Sequence, residues 1–208
     1  METKRSTVEC LDVASIIIGY FLGSFPSAYI AGRMWKGIDI RQVGSRNMGA
    51  MNTFGHIGKT AGAMVFIVDV GKGLAAIFVA RAIGTSQLIE LAAGLAAALG
   101  HRFPVFLSFR GGKAGAITLG MLFLLMPKGI PFFAVVTLLL VLLTRNLPFS
   151  YIIAFLCFTI IGWLIYSSPG LSVFSFALTL FVMINHYSMI RDIRDKGFRK
   201  AIIRSTLI

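Results

Sequence analysis

The chain has 208 residues, 57% of them hydrophobic and 13% charged, with a mean hydropathy of +0.84; that balance excludes a soluble globular domain and makes a membrane its main solvent. Continuous apolar runs such as 129–144 and 151–166 lack the alternation of a lipid-facing strand, so the expected fold is all-α, polytopic and helical. The formal net charge of +12 does not imply a nucleic-acid partner, because the basic residues sit in short loops and at the C-terminal end instead of on one amphipathic face.

In chain order, residues 1–12 mix acids with bases and precede an apolar segment too long for a signal-peptide core, so this stretch is expected to be retained. The first span, 11–34, ends at Arg33, Trp35 and Lys36, a cationic and aromatic membrane edge. A polar loop follows to about residue 57. The second span, 61–82, contains Asp69 and Lys72 three positions apart, close enough on a helix to pair. Two readings stand for them: an ion pair that pins the helix near an interface, or a lysine that reaches an anionic headgroup. The third span, 88–101, carries Gly94 and Ala98 at a spacing suited to close helix approach. A second polar loop, 101–114, contains RGGK at 110–113. Four more spans are expected at 115–126, 129–144, 149–166 and 171–186, with Pro127, Pro148 and Pro169 in the breaks. The span at 115–126 is too short to cross a hydrocarbon core of about 30 Å unless it is tilted or partly re-entrant.

Seven spans with the N-terminus outside place both polar loops, residues 144–148 and the C-terminal tail on one side. That side holds most of the 20 Lys and Arg residues, against Lys4, Arg5, Arg81 and Lys128 opposite, which makes it cytoplasmic. The whole chain reads as a single membrane domain, 1–208. Cys10 and Cys157 lie in or beside apolar runs without metal-ligand spacing, so neither a disulfide framework nor a metal site is expected.

The loop GSRNMGAMN, 44–52, is where chemistry is sought first. Successive small residues let backbone N–H groups turn toward one point and hold an anion, with Ser45 and Asn47 adding donors. A Gly/Ser/Asn run between helices is equally well a plain turn. In the second loop, Arg110 and Lys113 flank a glycine pair, which suits charge-neutralising side chains beside backbone donors, though membrane-edge anchors look the same. The spacing is not that of a nucleotide-binding P-loop. His186, after Asn185 at the end of the last span, reads either as an interfacial polar residue or as an acid–base group.

Taken together, GSFPSAYIAGR, DIRQVGSRNMGAMN, DVGKG, LGHRFPVFLSFRGGKA and NHYSMIRDIRDKG resemble, in order and over nearly the full length, the bacterial acyl-phosphate:glycerol-3-phosphate acyltransferases, the PlsY family. The resemblance implies a seven-helix enzyme of the inner cell membrane that moves a fatty acyl group from acyl phosphate to glycerol 3-phosphate, giving lysophosphatidic acid and inorganic phosphate for phospholipid synthesis. It implies no cofactor, no metal and no nucleic acid, and it brings in membrane lipid and an acyl-phosphate-producing enzyme as partners. By the same resemblance Ser45, Lys113 and His186 are catalytic, and Gly44, Arg46, Asn47, Gly49, Asn52, His101, Gly111, Gly112 and Ser150 bind substrate.

Several positions depart from the family pattern. Arg46 stands for a glycine, Met51 for a threonine, Gly55 for an arginine, Ala114 for a glycine, Pro148 for a serine and Met189 for an asparagine. These changes leave a second reading, a non-catalytic or altered-specificity membrane paralogue that binds a phosphorylated metabolite or a partner. An anion transporter is a third, weakened by charged groups that gather on one face.

Overall fold

The computed structural model describes residues 2–187 and Arg191, with side chains described from residue 9 onward. Among these residues the chain is helical without a strand: α1 (Glu2–Ser24), α2 (Ser27–Lys36), α3 (Ala50–His56), α4 (Lys59–Ile83), α5 (Gln87–Arg102), α6 (Gly115–Leu125), α7 (Gly129–Thr144), α8 (Leu147–Leu164) and α9 (Pro169–Asn185). Four stretches are long and apolar enough to cross a membrane: Glu9–Lys36, Lys59–Ile83, Gln87–Leu107 and Leu147–Leu164. Three shorter apolar helices, α6, α7 and α9, complete the set. The protein is an all-helical polytopic membrane protein. Met189 and, apart from Arg191, the expected basic tail lie outside the described residues.

The expected first span is interrupted. Pro26 has no N–H to continue the ladder and disfavours helical backbone at Phe25, so α1 stops at Ser24 and α2 restarts at Ser27. The break takes the Phe25 carbonyl out of the helical ladder, where it accepts from the Ser27 amide at 3.0 Å and has room for a side-chain donor as well. Pro148 and Pro169, expected in the breaks, instead sit in the first turns of α8 and α9, where a missing N–H costs nothing. Asn146 and Ser168 cap those turns by accepting from the Phe149 and Leu171 amides.

The chain divides into two compact units, residues 1–124 and 125–208. In the first, α1 packs on α5 and α4 by backbone approach. A Cβ on Gly19 or Gly23 would collide with the carbonyls of Ala93 or Ala97, and one on Gly100 with that of Tyr20. The small-residue contact was expected at Gly94 and Ala98; against α1 it is made by Ala93, Ala97 and Gly100. The α4 helix meets α6 the same way, through Gly73 against Ile117 and Gly120 against Val70. With lipid as solvent, such close packing replaces the hydrophobic drive that buries larger side chains in water.

In the second unit, α8 packs on both α7 and α9. Phe133 stacks on Phe155 with ring centroids 4.9 Å apart, and Phe158 closes the cluster at 5.8 Å from Phe133.

Candidate active site

The first polar loop is built around Asn52, which is 3% exposed. Its Nδ2 donates to the carbonyls of Ile40, Val43 and Asn47 at 3.0–3.1 Å, and its Oδ1 accepts from the Ser45 amide at 3.1 Å. The amide group is therefore spent inside the loop, where it fixes the path of residues 44–47. Gly44 is left-handed at φ +55°, and a Cβ there would strike the His56 ring and Asn52 Oδ1. Arg46 and Ala114, both at places where the family pattern has glycine, are also left-handed, at φ +57° and +64°. The backbone shape that glycine permits is kept even though glycine is not. The Ser45 side chain is exposed at the loop surface and Asn47 is half-buried. Gly49 is extended, and a Cβ on it would press on Asn47 Nδ2 at 2.9 Å.

The second loop lies against the first. The Gly112 amide donates to the His101 carbonyl at 2.9 Å. A Cβ on Gly112 would run into His101 Nε2 and stand 2.7 Å from the Met48 carbonyl, and one on Gly111 would strike the carbonyls of His101 and Arg102. Only glycine lets residues 111–112 pass between the end of α5 and the first loop. Met48 in turn is buried with Ile40, Ile57, Ala28, Ala31, Ala61 and Val65, and Leu107 packs on that cluster. Arg41 ties the two loops again: its guanidinium forks onto Asp39 at 2.7–3.2 Å and donates to the Leu107 carbonyl at 3.2 Å. That fork holds the Asp39 carboxyl below the usual range.

Lys113 follows directly, half-buried. Burial holds its ammonium below the ordinary lysine range, and the nearby charge of Arg102 adds to the shift. A cation kept partly dry beside glycine-rich backbone is suited to a phosphate oxygen.

Behind the loops lies a buried polar network. Asp69 Oδ1 accepts from Ser27 Oγ at 2.5 Å and from Lys72 Nζ at 2.7 Å. Lys72 also donates to the Phe25 carbonyl exposed by the Pro26 break, at 2.8 Å. His101 Nδ1 stands 3.5 Å from Lys72 Nζ and 4.0 Å from Asp69 Oδ1. With the ammonium facing Nδ1, the ring hydrogen belongs on Nε2, the edge turned toward Gly112 and Met48. Of the two readings of Asp69 and Lys72, the ion pair is the one the geometry shows, and both partners are buried. His101 is 7% exposed within it, placed to shape the second loop from behind.

Ser150 and His186 belong to the second unit. Ser150 is fully buried; its hydroxyl donates to the Asn146 carbonyl at 2.7 Å and faces Thr144 Oγ1 at 3.2 Å. His186 is 2% exposed, with Nδ1 2.8 Å from the Val182 carbonyl and Nε2 2.7 Å from the Tyr151 hydroxyl. A carbonyl only accepts, so Nδ1 carries the hydrogen and Nε2 accepts from Tyr151. Sequence reasoning missed Tyr151 and Ser27. The only available signals were a tyrosine one residue after Ser150 and a serine one residue after a proline inside an apolar run.

Residues 13–196 match the glycerol-3-phosphate acyltransferase family. Glycerol-3-phosphate acyltransferase 2 of Dehalococcoides mccartyi is 41% identical over 94% of this chain and 95% of its own length. The glycerol-3-phosphate acyltransferase of Parasynechococcus marenigrum is 39% identical over 84% and 82%. Among solved structures, the integral membrane glycerol 3-phosphate acyltransferase PlsY in its glycerol 3-phosphate form superposes with a TM-score of 0.82 at 28% identity, over 89% of this chain and 93% of that one. The lysophosphatidic acid form of the same protein gives 0.81. On a match that runs through both units and both glycine loops, this chain belongs to the glycerol-3-phosphate acyltransferase family.

Proposed function

We infer that the protein transfers a fatty acyl group from acyl phosphate to a hydroxyl of glycerol 3-phosphate in the inner cell membrane, with both glycine loops on the cytoplasmic side. The hydroxyl oxygen attacks the acyl carbonyl carbon, the bond from that carbon to the phosphate oxygen breaks, and the hydroxyl proton leaves with the phosphate. The products are lysophosphatidic acid and inorganic phosphate. Acyl phosphate is already activated, so positioning and charge stabilisation carry the reaction without a covalent acyl-enzyme. A separate enzyme that forms acyl phosphate is the implied source of the donor.

One observation carries this reading: Asn52 on one side and the Gly112, His101 and Met48 contact on the other hold two glycine loops together, with Ser45 exposed on one and Lys113 following the glycines of the other. In these roles the Ser45 hydroxyl, the Asn47 side chain and the amides of Gly44, Gly49 and Gly111 present donors to phosphate, Gly112, whose amide is spent on His101, lets the second loop pass close to the first, and Lys113 neutralises the charge. Asn52 and His101 shape the cradle from behind, and Arg46 adds positive charge at its rim. His186, hydrogen-bonded to Val182 and Tyr151, and the buried Ser150 are the candidate residues of the second unit.

The test is phosphate release from palmitoyl phosphate by the purified protein in detergent or lipid cubic phase, with and without glycerol 3-phosphate. Acceptor-dependent release is expected, and its absence where a relative is active defeats the reading. Replacing Lys113 or Ser45 by Ala should lower the rate far more than Lys59→Ala.

A further inference from the structure

Beside the glycine loops is an open cleft of about 740 Å³ lined by Asp39, Arg41, Gln42, Arg46, Arg102, Phe103, Ser108, Phe109, Arg110 and Gly111. Neither Ser45 nor Lys113 lines it. Four arginines and one aspartate line it, and that carboxylate is committed to Arg41, whose cation also lies over the Tyr29 ring at 5.1 Å. Arg46, Arg102 and Arg110 have no carboxylate partner among the described residues. Like charges gathered in one concavity repel, so the cleft is built for an anion. Planar, forked donors match the oxygens of a phosphate better than a monovalent halide.

The apolar walls narrow the ligand further. Phe103 and Phe109 line the cleft and are exposed, the latter in left-handed backbone at φ +60° beside Ser108 at +53°. A bulky residue held in that conformation turns its ring outward at the cost of strain. Guanidinium groups next to exposed phenyl rings at the end of a membrane helix match a molecule that is phosphate at one end and hydrocarbon at the other.

We propose that this cleft is a binding site for the phosphate head of an acidic phospholipid from the surrounding bilayer, with the acyl chains passing along Phe103 and Phe109. The cleft shares only Arg46 and Gly111 with the phosphate cradle, and the proposal does not depend on the assignment of acyl transfer to the neighbouring loops.

The experiment uses the full chain in phosphatidylcholine nanodiscs with or without phosphatidylglycerol, and native mass spectrometry counts the lipid retained on release from the disc. The wild type should keep phosphatidylglycerol in preference to phosphatidylcholine. Arg110→Gln, at an exposed position that the fold does not need, should weaken retention about fivefold, and the pair Arg102→Gln with Arg110→Gln by a further about fivefold, as expected for one interfacial charge each. Lys59→Gln, an exposed cation elsewhere, should leave retention unchanged. Retention by Arg110→Gln equal to wild type overturns the site even if the double variant fails to fold. Calorimetric binding of inorganic phosphate to the wild type, lost in Arg110→Gln and without preference for phosphatidylglycerol, would assign the cleft to a soluble phosphate and overturn the lipid.

Discussion

Two residues that look like damage to the glycine pattern keep its geometry. Arg46 and Ala114 both adopt left-handed backbone, which costs a non-glycine residue about 1–2 kcal/mol. Arg46 is exposed, so Arg46→Gly should raise stability by about 1 kcal/mol, read from the thermal midpoint in detergent. Ala114 is 1% exposed, and deleting its buried methyl forfeits about 0.8 kcal/mol, so Ala114→Gly should be nearly neutral. A larger effect is expected in the buried network. Lys72→Met strands Asp69 and should cost about 3–5 kcal/mol, whereas replacing both residues by apolar ones restores much of that loss. Lys113 sets a pH limit: its ammonium sits below the ordinary lysine value of 10.5, so phosphate neutralisation is lost as pH rises, earlier than for an exposed lysine. Acyl-transfer rate against pH should show an alkaline limb that Lys113→Arg moves upward. Candidates such as Ser45 and Lys113 were legible as residue types in a pattern. Their supports were not, because a side-chain amide such as Asn52 reads the same whether it faces a ligand or three carbonyls.

At the scale of elements, the span positions followed from hydropathy, since a run of apolar residues in lipid has few choices other than helix. Where a helix breaks and what the break does are different matters. Pro26 was visible, but the second hydrogen bond to the Phe25 carbonyl, beside that from the Ser27 amide, depended on Lys72 arriving from α4, 47 positions later. Pro26→Ala should let α1 run on into α2 and withdraw that acceptor; the expected result is lower stability with unchanged helix content by circular dichroism. The α1 contact with α5 relies on missing side chains. Gly19→Leu would drive a side chain into the Ala93 carbonyl, and since overpacking a core costs about 1–3 kcal/mol even among side chains, the folded yield should fall sharply in size-exclusion chromatography. Small residues at intervals announced close packing, but they did not say which face would be used, and the contact fell on Ala93 and Ala97 rather than on Gly94 and Ala98.

For the whole molecule, the charge distribution gives an orientation that can be measured. Single cysteines introduced at Ser45 or Ser108 should be labelled by a membrane-impermeant maleimide only in inside-out vesicles, and one at Ser86 only in right-side-out cells; the reverse pattern would invert the topology. The sequence by itself determined that this is a helical membrane protein, where its spans lie and which loops are rich in glycine and charge, because each of those properties is local and additive along the chain. Only the tertiary structure decided that Met48 and Gly112 lie side by side, that Asp69 and Lys72 form a core pair joined to Ser27 and His101, and that three arginines without carboxylate partners among the described residues share one cleft. Those facts are distances between residues far apart in sequence, fixed by how closely helix backbones can approach and by where a buried polar group finds its partner.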